Sequence, residues 1–77
     1  MQRAGEVKNV AQGVAVVRCP GSDHPGIGAP LIDDSLSTVG RVVDVFGPTE
    51  RPYLAVSPAG SVTPAALVGT VLYYRPD

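Results

Sequence analysis

Eight prolines set the limits on what this chain can fold into. Each fixes φ and lacks a backbone donor, which excludes it from helix interiors and central strands. Pro20, Pro25 and Pro30 bracket the glycine-rich segment CPGSDHPGIGAP, Pro48 and Pro52 bracket GPTERPY, Pro58 and Pro64 bracket SPAGSVTP, and Pro76 stands near the end. The stretches left between them read as strands.

Gly5 to Val10 and Gly13 to Arg18 form a hairpin around Ala11, Gln12 and Gly13, with valine-rich arms. Val7, Val10, Ala11 and Val14 also fit one face of a helix. The strand reading is preferred because Gly13 interrupts such a helix, no capping residue opens it, and Val14, Val16 and Val17 are β-branched. Leu31 and Ile32 make a short third strand, ended by the turn-prone Asp33, Asp34 and Ser35. Thr38 to Phe46 is the fourth. Its alternation puts Val39, Arg41, Val43 and Val45 on one face and Gly40, Val42, Asp44 and Phe46 on the other. Tyr53 to Val56 is the fifth strand and Gly69 to Tyr74 the sixth, while Ala65 to Val68 is too short to read as a helix.

Six short strands without a clear helix predict an all-β fold, a small closed or nearly closed six-stranded barrel, since closure removes edges that invite aggregation. A two-sheet sandwich is the nearest alternative. Gly40 and Gly69, within or at the start of strands, fit tight bending or close backbone approach. With 77 residues the chain makes one domain, spanning 1–77, and a chain of this size hides only about 60% of its unfolded surface.

The inventory argues against chemistry. His24 is the sole histidine and Cys19 the sole cysteine, too few soft ligands for a structural zinc site, which takes four. No internal disulfide can form. Asp33 and Asp34 are adjacent, so on a strand they point to opposite faces and form no acid–base pair. PGIGAP lacks the GxxxxGK[ST] pattern that cradles phosphate. No catalytic residue, metal or cofactor is expected. The six basic residues, Arg3, Lys8, Arg18, Arg41, Arg51 and Arg75, are scattered singly in a chain of net charge −1. Nucleic-acid binders concentrate such charge to displace counterions, so direct RNA or DNA binding is not expected. No apolar run approaches the roughly 20 residues that cross a bilayer, and MQRAGEVKNV lacks a signal-peptide core. A soluble, cytoplasmic protein is expected.

Recognition of another protein fits better. Phe46 and Tyr53 carry two of the four aromatic rings and flank a turn stiffened by Gly47, Pro48 and Pro52, with only Glu50 and Arg51 charged at its tip. Large rings on an ordered support bind at low entropic cost. Core packing is the competing role for either ring.

The chain resembles the small GAR-type, glycine-arginine-rich proteins of box H/ACA ribonucleoproteins, the RNA-guided pseudouridylation machines. The resemblance runs through GEVKNVAQGVAVVR, LIDDSLSTVGRVVDVFGPTERPYLAVSP and LVGTVLYY, and VGxVxDVFGPxxxPY is its specific part. It implies a six-stranded barrel like those of translation-factor and reductase β-domains, and a non-catalytic role in rRNA modification and ribosome biogenesis. Such a subunit binds the catalytic domain of the dyskerin-type pseudouridine synthase, assists placement and turnover of substrate RNA, and meets guide RNA only indirectly. The chain lacks the glycine-arginine-rich tails of the eukaryotic proteins and is similar to the compact archaeal form; a truncated eukaryotic core would be nucleolar.

The synthase contact is expected on Val45, Phe46, Gly47, Pro48, Pro52, Tyr53 and Leu54, with Leu72, Tyr73 and Tyr74 of the last strand contributing. Arg41 and Arg51 would act as rim charges that set orientation and on-rate. Two other classes compete with this reading. A stand-alone RNA-binding barrel would use Phe46, Tyr53, Tyr73 and Tyr74 as stacking platforms, and an H/ACA assembly factor would share the barrel and compete for the synthase.

Overall fold

A computed structural model describes residues 1–76. Six strands run in the order β1 (Gln2–Ala11), β2 (Val14–Arg18), β3 (Pro30–Ile32), β4 (Thr38–Phe46), β5 (Tyr53–Pro58) and β6 (Val71–Tyr74), with a 3-10 turn at Pro64–Leu67. They close into an antiparallel barrel in the spatial order β1-β2-β5-β4-β3-β6. The expected barrel is therefore present, and the sandwich is excluded. No helix among the described residues is long and apolar enough to cross a membrane.

Local chemistry accounts for the turns. Gln12 and Gly13 both take positive φ, 53° and 80°, the two-residue hairpin geometry whose twist matches the flanking strands, and Ala11 pairs with Val14 across it. Asp33 terminates β3 by accepting the Ser35 and Ser37 amides on Oδ1 at 2.9 and 3.0 Å, as a turn aspartate does. Strand limits differ from the sequence reading mainly at prolines and glycines. Pro30 opens β3 and Pro58 closes β5, because a strand end tolerates a residue without an N–H. Gly69, at φ +89°, lies outside β6, which starts at Val71.

The core is one cluster of small and branched side chains: Ala4, Val7, Ala15, Val17, Leu31, Val42, Leu54, Val56 and Leu72 are sealed inside, with Val39 and Tyr74 at its edge. Leu67 is buried from the 3-10 turn, so the segment too short to read as a helix still contributes to the core. Gly40 makes the close approach expected of it. A Cβ there would lie 2.4 Å from the Ser57 carbonyl oxygen.

The simple alternation expected along β4 fails. Register slips between Leu31 and Ile32 against β4, and again between Val42 and Asp44 against β5, so β4 carries an extra residue at each place. Such bulges re-aim side chains and tighten twist. Val39, Gly40 and Val42 all turn inward, and Val43, expected on the same face as Val39, is 47% exposed.

Cys19 is fully enclosed, and burial pushes its thiol above the ordinary value of 9.0. Tyr74 is also raised, above 10.0, first by burial and then by Asp23 and Cys19 nearby. Both neutral forms are favoured by the fold, so this stability is complete below the unfolded-state values and is lost as pH rises through the folded ones. The urea midpoint is expected to hold near neutrality and to fall above pH 9.0. A thiol reagent should label Cys19 only as fast as the barrel opens; immediate labelling of the native protein would contradict the enclosed position.

Candidate protein-docking face

The outer wall of the barrel carries one organised polar and aromatic row. Pairing sets Glu6 of β1 opposite Arg18 of β2, Arg18 opposite Tyr53 of β5, and Tyr53 opposite Phe46 of β4. Residues at successive paired positions project on one face. Phe46 and Tyr53 stack with ring centroids 5.5 Å apart and planes 16° apart. From the opposite flank Arg18 places its guanidinium carbon 4.6 Å from the centre of the Tyr53 ring, and its Nη1 donates to the Tyr53 hydroxyl at 2.5 Å. Tyr53 is thus held between a ring and a cation, each contact worth about 0.5–1.5 kcal/mol.

The β4–β5 turn braces this arrangement. The Arg51 amide donates to the Pro48 carbonyl at 3.3 Å, closing the tip, and the Cys19 amide donates to the Pro52 carbonyl at 3.0 Å, tying the turn to the end of β2. Arg51 adds a bond from Nε to the Cys19 carbonyl at 3.2 Å. Gly47 has φ +88°, and a Cβ there would meet Cδ2 of Tyr53 at 2.9 Å. Glycine is required twice at this position, by conformation and by the ring. Gly47→Ala should cost about 1–2 kcal/mol in the left-handed backbone alone and push Tyr53 off its stack. Shifted Tyr53 ring resonances with a lowered urea midpoint are the expected readout; unchanged ring resonances would show that the glycine does not brace the pair.

The expected contact residues divide. Phe46 is 43% exposed, Gly47 and Pro48 are exposed and Tyr53 is half-buried; these four sit together on the β4–β5 wall, whereas Val45, opposite the inward Leu54, packs against the core and leaves the expected contact set. Pro52 is buried beneath them. Leu54 and Leu72 are 0% exposed and point into the core, one step out of phase with Tyr53 and Tyr73, so neither side chain can touch a partner. Tyr74 is buried too, with its hydroxyl donating to Gln2 Oε1 at 2.7 Å. Tyr73 is half-exposed, but β6 is separated from β5 by two strands in either direction around the barrel. Its ring therefore stands on the opposite wall and does not join the Phe46–Tyr53 face.

Sequence reasoning missed Arg18. Thirty-five positions separate it from Tyr53, and only the insertion of β5 beside β2 brings them together; no local signal marks that pairing. Arg51, isolated from Arg18 along the chain, is brought by the same folding to the Cys19 carbonyl, next to Arg18 at the end of β2. Cys19 and His24 do not converge on a site: Cys19 is enclosed, whereas His24 is exposed with Nδ1 donating to the Pro25 carbonyl at 2.8 Å. Among the described residues no three His, Cys, Asp or Glu side chains gather as metal ligands would.

The family model described as the Gar1/Naf1 RNA binding region matches residues 1–77. The chain belongs to the Gar1/Naf1 family. An uncharacterised protein of Methanothermobacter thermautotrophicus is 30% identical over 77 residues, covering 95% of this chain and 82% of the relative. Gar1/Naf1 proteins are non-catalytic, and the assignment supports an RNA-binding role within H/ACA-type assemblies.

Proposed function

We propose that this Gar1/Naf1 barrel is a subunit of a box H/ACA RNA-guided pseudouridylation particle that docks on the catalytic domain of its dyskerin-type pseudouridine synthase. In that position it assists placement and turnover of the substrate RNA, and the uridine chemistry belongs to the synthase. One observation carries the reading: a stacked Phe46–Tyr53 pair stands part-exposed on a wall whose turn is braced by Gly47, Pro48 and three hydrogen bonds. Anchors ordered before contact surrender little entropy on docking, and aromatic side chains are the commonest carriers of interface energy. Family membership supplies the kind of particle.

The test is reconstitution of a guide-RNA-loaded synthase with and without this protein. Co-elution and faster multiple-turnover isomerisation are the expected results; no co-elution, with turnover unchanged, would overturn the proposal. A second reading, direct contact with RNA, is favoured by the family description and by the guanidinium of Arg18 lying over the Tyr53 ring. It predicts that the free barrel binds oligonucleotides with a steep logarithmic loss of affinity in salt.

A further inference from the structure

Among the described residues Arg18 has no counter-ion. The ion pair among the described residues is Lys8 with Glu6 at 3.4 Å, so Glu6, although opposite Arg18 in register, is engaged elsewhere. Asp44, on the other flank of β5, accepts the neighbouring Val45 amide at 2.8 Å. Glu50 at the turn tip forms no ion pair with Arg18. The guanidinium is also held away from water in part: its Nε is buried and has no hydrogen-bond partner. A fixed, partly desolvated cation whose Nη1 donates to Tyr53 and whose Nη2 has no partner among the described residues is a prepared site for a planar anion, because a guanidinium matches a carboxylate.

We infer that the protein docking on this wall presents a carboxylate to Arg18, beside the apolar contact made by Phe46 and Tyr53. The inference rests on the docking reading above and names the chemistry of the partner surface. Surroundings favour a protein carboxylate over a nucleic-acid phosphate. Val16 and Ala55, both half-buried, pair in the adjoining row with Asp44 beyond them. That apolar floor with a carboxylate at its edge suits a mixed protein surface, whereas a phosphate backbone is held by several cations in series. Arg18 acts through Tyr53 as well. Its stacking fixes the ring, so the charge contact and the apolar anchor arrive already in register.

Three variants separate the possibilities. Arg18→Met keeps a stem that can lie on Tyr53 and removes the charge, Arg18→Lys keeps the charge and removes the planar fork, and Tyr53→Ala removes the anchor. Each is first checked for an intact cooperative urea transition, and affinity for the synthase catalytic domain is then measured at low and high salt. The expected outcome is at least a tenfold loss for Arg18→Met, with its affinity nearly independent of salt, and a partial recovery for Arg18→Lys with salt dependence restored. Wild-type affinity in Arg18→Met, or a loss that leaves the salt dependence untouched, would overturn the carboxylate contact. If Tyr53→Ala binds normally as well, the docking face itself is misplaced; if only Tyr53→Ala fails to bind, the face stands and this inference falls. Oligonucleotide binding by the free barrel that disappears in Arg18→Met would assign the cation to phosphate and likewise overturn it.

Discussion

Leu54→Ala will lower the stability of the barrel by about 2–5 kcal/mol, the usual cost of emptying a leucine site that neighbours cannot close. Leu54 is 0% exposed and paired on both sides, to Val17 and to Val45, so its neighbours are strands of a closed wall with little room to collapse. A domain of this length has only roughly 4–12 kcal/mol in total at 0.05–0.15 kcal/mol per residue. The urea midpoint should drop sharply while the slope of the transition stays constant. Any weakening of synthase binding should vanish under conditions that keep the variant folded. A loss below about 1 kcal/mol would mean that Leu54 is not a core residue after all.

Tyr53→Ala, one position earlier, should do the reverse. It removes the stack on Phe46 and the platform for Arg18, at a cost to the fold of about 1–2 kcal/mol. Affinity for the synthase should fall by about 2 kcal/mol or more, the size of a hot-spot loss and some thirtyfold in Kd. Titration calorimetry against the isolated catalytic domain measures this directly, and equal affinity in a folded Tyr53→Ala variant would remove the ring from the interface. The adjacent pair makes a sharp contrast because side chains alternate along a strand. One residue belongs to folding, and the proposed docking assigns the next to binding.

The strands and the barrel were legible because proline and glycine punctuate the chain where backbone hydrogen bonding must stop, and valine fills the gaps between. The Phe46–Gly47–Pro48 and Pro52–Tyr53 turn was legible for the same reason: its stiffness is local chemistry. What could not be read was anything that depends on which strands become neighbours. The placement of β5 between β2 and β4 delivers Arg18 to Tyr53, and the distribution of β5 and β6 around the barrel parts Tyr73 from Tyr53. Phase was the other hidden quantity. The two bulges of β4 each shift the in-and-out sequence by one, so a count along the strand misassigned Val43. Val45, Leu54 and Leu72 lie next to outward rings, which brings them into the expected contact set, but the period of two assigns them inward.

Closure of the sheet has a consequence for how such a subunit can be recruited. With every strand already flanked on both sides, most of the main-chain bonding that drives strand addition is spent within the barrel. A binding protein then reads chiefly side chains. The identity of a few outward groups can then be exchanged, and the choice of partner redirected, on a scaffold whose interior stays the same.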